Sequence, residues 1–288
     1  MLYSKEGANV LGMNMVKDED NQYLEALESE SIYIIREAYW RYRQGLALLW
    51  SIGKDSTTLL HLIRKAFFGK VPFPVIHLDT TFKFKEIYEF RDHFAKEYDL
   101  NLIIAKNDLA LKKKMSAKMG SFECCHALKT KALQQVVKRY ALKALLLAIR
   151  RDEHLIRAKE RVFSLRNQDF KWDYQNQSLE LWKEYSDAHA GRSSHLRVHP
   201  LLGWREIDVW RYIKKEKLPI ASLYFSKDGR RYRSIGCQCC CQSIPSSASN
   251  IDEIITELLK TKIAERSGRL QDKEKVYMMQ KLRSLGYM

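Results

Sequence analysis

The chain is 288 residues long and 45% hydrophobic, with 50 Lys and Arg against 35 Asp and Glu, a net charge of +15. That length buries a full core, as one large domain or as one domain with an appendage. No apolar run approaches the roughly 18 residues of a membrane span, and Met1–Asp20 has no signal-peptide core, so a cytoplasmic protein without a membrane partner is expected.

In chain order, residues 23–44 read as an amphipathic helix, with Leu24, Leu27, Ile32 and Ile35 apolar and charges between them. Strands are predicted at Leu46–Trp50, Val75–Leu78, Leu102–Ala105, Ala144–Ile149 and His195–His199, with helical stretches at 55–68, 83–98 and 126–140. Another amphipathic helix is predicted over 204–217, followed by a cysteine-rich loop from Ser226 to Ser249 and one or two helices from Ile251 onward. Strands alternating with helices predict an α/β fold built on a mainly parallel, doubly wound sheet. The cysteine-rich and helical stretch is a C-terminal extension, so the expected division is 1–225 and 226–288. No internal repeat or low-complexity linker interrupts it.

Ligands of such a sheet sit at the carboxyl ends of the strands. There the sequence places Ser51–Thr57, Asp79–Thr81 and Arg150–Asp152. The run Trp50-Ser-Ile-Gly-Lys-Asp-Ser-Thr-Thr-Leu-Leu60 carries a strand into a helix through Gly53. A helix start offers unpaired N–H groups and the positive end of its dipole to an anion. The bland alternative is a helix start with a Ser or Asp cap. The spacing is not that of a Walker loop.

The order Ser-x-Gly-Lys-Asp-Ser resembles the pyrophosphate-binding loop of the ATP pyrophosphatases, which cut ATP between its α and β phosphates. Further stretches are similar to the small, ATP-binding subunit of bacterial sulfate adenylyltransferase: His77–Arg91, Cys124–Thr130, Arg150–Arg161, Val198–Trp210 and Ala264–Asp272. The resemblance covers about residues 22–288. The same superfamily holds the adenylylsulfate and phosphoadenylylsulfate reductases and the ATP pyrophosphatases of DNA phosphorothioation systems. It implies an adenine nucleotide α-hydrolase-like fold and an enzyme that adenylates an oxyanion with ATP.

Under that resemblance Ser51, Gly53, Lys54, Asp55, Ser56 and Thr57 form the phosphate loop, with Lys54 as charge partner and Asp55 as a magnesium ligand or loop cap. Asp79 holds ribose or metal, or is a plain strand-end Asp in a turn. Arg150, Arg151, Arg157, Lys159 and Arg161 form an anion clamp, since Arg forks bind phosphate and sulfate bidentately. Asp152, Glu153 and Glu160 offer the competing reading of a structural salt-bridge set. Lys54, Asp55, Arg150 and Arg151 are the expected catalytic residues.

Six cysteines cluster as Cys124-Cys125 and as Cys237, Cys239, Cys240 and Cys241, which argues for metal or redox chemistry over a disulfide framework. Cys124, Cys125, Cys237 and Cys240 resemble the ligands of an iron–sulfur cluster ([4Fe-4S]) in adenylylsulfate reductases. A zinc site, a persulfide carrier and plain packing stay open beside it. Three departures from the small-subunit pattern stand out: Ile52 and Thr81 where Gly is usual, a shortened 226–234 segment, and the strip Gly236-Cys-Gln-Cys-Cys-Cys-Gln242.

The cysteine strip, the shortened segment and the +15 charge favour a DNA backbone phosphate as acceptor, with a cysteine desulfurase and other phosphorothioation proteins as partners. The alternatives are sulfate, with a GTPase large subunit as partner, or a reductase-like enzyme. ATP and magnesium are expected cofactors, and an oligomeric assembly is expected. A non-catalytic scaffold with a degenerate loop would be favoured by Ile52 and Thr81 and opposed by the Lys54–Thr57 run.

Overall fold

The computed structural model describes residues 5–154, 157–175, 177, 180, 195–268 and 281, and of 5–19 the backbone only. A long helix, α1 (Lys5–Tyr42), leads into β1 (Leu46–Leu49), α2 (Lys54–Ala66), β2 (Val75–Leu78), α3 (Lys85–Glu97) and β3 (Leu102–Ala105). The short helices α4 (Asp108–Lys112) and α5 (Ser121–Cys125) precede α6 (Lys131–Arg139) and β4 (Ala144–Leu146). Then come β5 (Phe163–Arg166), β6 (His195–Val198) and α7 (Glu206–Glu216).

The strands form one sheet in the order β3-β2-β1-β4-β6-β5. Every pairing is parallel except β5 with β6. This is the predicted doubly wound α/β fold, with β5 as an antiparallel edge strand that the sequence reading missed. Its short Phe-Ser-Leu-Arg run carries a buried Ser and Arg and so lacks the apolar pattern of the other strands. The predicted helix over 126–140 is in fact a π turn at His126–Thr130 followed by α6, with α5 directly before them.

Strand alternation divides the core between the two faces. Leu46 and Leu48 of β1, with Ala144 and Leu146 of β4, pack in the cluster that holds α1, α2 and α7 side chains. Ala47, Leu49, Ile76, Leu78 and Leu145 face Ala132, Leu133, Val136 and Val137 of α6. The chain leaves β1 toward β2 and β3, then returns to β4 on its other side. The carboxyl ends of β1 and β4 therefore flank a topological switch point, where such sheets open a crevice.

Residues beyond 225 add a small ribbon, β7 (Arg230–Arg231) with β8 (Ile244–Pro245), the cysteine-rich turn, and α8 (Ile251–Lys260). Ile235, Ala248 and Ile254 are buried in the same apolar cluster as α2 and α7. A second C-terminal helix, if formed, lies in 269–288, outside the described residues apart from Lys281. Among the described residues no helix is long and apolar enough to cross a membrane.

Candidate active site

A cleft of about 900 Å³, open to solvent, lies at the switch point. Its floor is apolar, from Leu49, Ile76, Leu78, Leu147 and Ile149; its rim is polar, from Ser51, Asp55, Ser56, Lys83, Lys129, Glu153, Arg157 and Arg266. Ser234, Ile235 and Gly236 close one side. An apolar floor with a cationic rim suits a base-bearing ligand with a polyanionic tail.

The loop from β1 to α2 forms the rim because the sequence forces a sharp turn there. Gly53 is the N-cap of α2 in extended conformation, and Thr57 N–H donates to its carbonyl at 2.9 Å. The first N–H groups of a helix have no partner within it; that of Lys54 donates to the Tyr224 hydroxyl at 2.8 Å. A Cβ on Gly53 would stand 3.4 Å from Ser51 Oγ and 3.5 Å from Tyr224 Oη, ordinary van der Waals contact with both hydroxyls. Ser51 and Ser56 hydroxyls lie 3.0 Å apart, and Ser56 donates to the Gly53 carbonyl at 3.1 Å. Thr57 accepts from the Trp50 indole N–H at 3.2 Å, which makes it a loop brace.

Ile52 sits at φ +66° and Thr81 at φ +63°. Both are β-branched residues in the left-handed region, where such side chains are outliers. That is the physical reason a glycine is usual at each place. Ile52 nonetheless buries its side chain, 1% exposed, in the main core.

Lys54 and Arg150 lie behind the rim, 1% and 0% exposed. Lys54 Nζ pairs with Asp55 at 3.0 Å and with Glu265; Arg150 pairs with Asp55, with Glu265 and with Asp152 at 2.9 Å. Burial opposes ionisation of Glu265, but Arg150 and Lys54 hold its carboxyl well below the usual range. Glu153 accepts from Arg150 N–H at 3.1 Å and pairs with Arg157, and these cations keep it ionised despite burial.

Of the predicted clamp, Arg157 reaches the cleft and Arg150 stands behind it. Arg151 and Lys159 are exposed, and Arg151 lines a separate hollow with His199 and Trp204. The carbonyl of Arg161 accepts from His199 Nδ1 at 2.7 Å. Asp79 is 4% exposed and serves its turn. Its carboxylate accepts from Thr81 N–H at 2.8 Å and Tyr88 O–H at 2.9 Å and pairs with Lys106 at 3.0 Å, which keeps its pKa low against the effect of burial. The salt-bridge reading also holds in part, since Asp152 pairs with Arg150 and Glu153 with Arg157, whereas Glu160 pairs outside that set, with Arg166 at 2.9 Å. Lys83, Lys129, Glu153, Glu265 and Arg266 were missed as site residues, although each lies in a motif quoted for the resemblance; Tyr224 lies in none.

The two cysteine segments converge. Burial pushes the Cys124 thiol up to about 12, reinforced by Cys125, Cys237 and Cys239; Cys240 is raised by burial and by Cys239, Cys237 and Cys125. Cys124, Cys125, Cys237 and Cys240 are buried and Cys239 is exposed, and none of the six forms a disulfide. Thr80 Oγ1 lies 3.1 Å from Cys237 Sγ, and Gln238 N–H donates to the Phe82 carbonyl at 2.7 Å, so the strip docks beside the β2 turn. Among the described residues, the group of three metal-ligand side chains with donor atoms within 4.8 Å of one another is Asp55, Glu153 and Glu265; no three cysteine sulfurs come so close. A tetrahedral zinc site needs sulfurs about 3.8 Å apart, so none is preformed.

Fold, switch-point cleft and helix N-terminus together define an adenine-nucleotide-binding α/β enzyme. The profile of the phosphoadenosine phosphosulfate reductase domain family matches residues 45–243, and the chain belongs to that family. It is 39% identical to sulfate adenylyltransferase subunit 2 of Psychromonas ingrahamii, over 92% of this chain and 97% of that protein. The same protein of Sulfurimonas denitrificans is also 39% identical, over 92% and 97%. The fold is that of phosphoadenylyl-sulfate reductase from Candida auris (TM-score 0.53, 18% identity, 83% of this chain and 98% of that one). It is likewise that of Candida glabrata FMN adenylyltransferase in complex with ATP (TM-score 0.54, 15% identity, 92% and 83%). The chain is an ATP-using adenylyltransferase of the ATP pyrophosphatase kind.

Proposed function

We propose that this chain adenylates sulfate, as the ATP-cleaving subunit of a sulfate adenylyltransferase that works with a GTPase large subunit. The observation that carries the reading is the cleft itself: an apolar floor for adenine joined to the α2 N-terminus and a rim of Lys83, Lys129, Arg157 and Arg266. The relatives' names supply the acceptor and the subunit. A sulfate oxygen attacks the α-phosphorus, the bond to the bridging oxygen of the β-phosphate breaks, and pyrophosphate leaves with the electron pair. Charge on the leaving group meets the helix N–H groups and the cationic rim. Ser51 and Ser56 hydroxyls rotate from each other to the phosphates.

The oxygen donors fit magnesium, which prefers carboxylates and phosphate oxygens. Asp55 and Glu153, which line the cleft, would hold it, and it would supply neutralisation of the phosphate charge. The test is sulfate-dependent exchange of labelled pyrophosphate into ATP, which needs no net build-up of product. Exchange supported by duplex DNA and not by sulfate would overturn the acceptor.

One observation favours the DNA-phosphate acceptor with a cysteine desulfurase as partner: the convergence of five cysteines beside the β2 turn. Cys124, Cys125, Cys237 and Cys240 are chemically suited to hold an iron–sulfur cluster, whose sulfur ligands stand wider apart than those of zinc. Such a cluster would supply redox chemistry or sulfur. On that reading anaerobic purification yields a brown protein with about four irons per chain, lost in Cys240→Ser; a colourless, metal-free protein removes the cluster.

A further inference from the structure

Four side chains close a ring behind the cleft. Asp55 places one carboxylate oxygen on Lys54 and the other on Arg150, and Glu265 does the same from the opposite side. Lys54, Arg150 and Glu265 are not among the cleft-lining residues, whereas Asp55 is. The ring therefore touches substrate through Asp55 alone.

We propose that Glu265 is a positioning residue of the adenylyl-transfer site: a strap after α8, residues 261–266, carries it onto Lys54 and Arg150 so that Asp55 is presented to the cleft. This rests on the reading of the cleft as an ATP site. Two buried cations facing one carboxylate leave an uncompensated charge. Without Glu265, Lys54 keeps Asp55 and Arg150 keeps Asp55 and Asp152, so Asp55 is drawn inward and the lone pairs it offers the cleft are consumed. With Glu265 in place the ring is neutral, and a carboxylate with about four acceptor sites spends two on it. The same strap carries Arg266 into the cleft wall.

The strap is seated by polar contacts. Its single large apolar residue, Ile263, is 63% exposed, and its carbonyl accepts from Arg233 Nη1 at 2.6 Å. Arg233 is itself held bidentately by Glu206, at 3.1 and 2.7 Å. Burial and the nearby Glu265 raise the Glu206 carboxyl. Charge seats this segment, so removing one charge unseats it.

The test compares the wild-type chain with Glu265→Gln, which keeps the shape and removes the charge. Calorimetry reads ATP affinity with and without magnesium; in Glu265→Gln the gain from magnesium shrinks by about tenfold. Pyrophosphate release shows kcat lower by about 10²-fold, with KM for ATP in magnesium raised by about tenfold, in step with the lost affinity. A purely structural role would lower the melting temperature and leave these ratios unchanged in the folded fraction. Arg233→Lys, which loses the Ile263 carbonyl and keeps the charge, gives the same pattern more mildly, and stands in if Glu265→Gln does not fold. Wild-type chain that binds no ATP overturns the ATP reading and this proposal with it. Wild-type binding with unchanged magnesium gain and kcat in both variants overturns the proposal alone.

Discussion

Replacing Ile52 by glycine sets two opposing effects against each other at one position. The residue holds φ +66° and is 1% exposed. A left-handed conformation costs an L-residue about 1–2 kcal/mol, and glycine removes that cost. Glycine also frees the unfolded chain, which costs roughly 0.5–1 kcal/mol. Against this, truncating a buried Ile costs about 2–5 kcal/mol in lost burial and cavity. Burial wins, and Ile52→Gly is destabilised by about 2–3 kcal/mol. Thr81 is the control: it has φ +63° but is exposed, so the same replacement relieves strain and loses little packing. Thr81→Gly is expected to gain about 0.5–1 kcal/mol. Thermal melting at fixed protein concentration reads both, as a fall of about 3–5 °C for Ile52→Gly and a rise of about 1 °C for Thr81→Gly. An Ile52→Gly variant that melts at or above wild type would refute the reasoning, because the core would then not be what holds this residue in place.

His77 has a folded pKa near 3 against a usual 6.5, because burial disfavours its charged form. The unfolded chain therefore binds the proton first as pH falls. Stability is full above about pH 6.5 and is lost at roughly 1.4 kcal/mol per unit below it, down to about pH 3. His195 and His199, depressed by burial, act in the same direction. Urea midpoints are expected to fall between about pH 6.5 and 5, less steeply in His77→Gln; a flat wild-type profile would contradict this. Tyr224→Phe removes the acceptor of the Lys54 N–H and should cost about 1–3 kcal/mol, read by denaturant titration. A thiol reagent should label exposed Cys239 first and Cys124 and Cys240 only on unfolding, as peptide mapping would show. Early labelling of Cys124 would count against the buried cluster.

The sheet was legible because buried parallel strands are written as short apolar runs, as in Leu46–Trp50 and Val75–Leu78. β5 was not, since Ser164 and Arg166 are buried through polar partners that no local pattern announces. The strand-to-helix loop at 51–57 was legible from the order of its residues, whereas the pairing of Lys54 with Glu265 was not. That pairing joins residues 211 positions apart, a separation over which local spacing carries no information. Likewise Arg151 and Arg157 are indistinguishable in sequence, yet Arg157 lines the cleft and Arg151 a separate hollow.

The closing contact between Lys54 and Glu265 has a consequence for the order in which the molecule is made. During synthesis β1, α2 and the phosphate loop leave the ribosome more than two hundred residues before the glutamate that completes their charge ring. A growing chain can thus assemble its sheet and hold a partial cleft, with two buried cations short of one counter-ion, until Glu265 has been made. Chains cut short before Glu265, or clipped in the exposed connector at 262–264, would keep the sheet and lose the finished ring. The segment that carries Glu265 then acts as a quality mark, separating copies with a closed ring from copies without one.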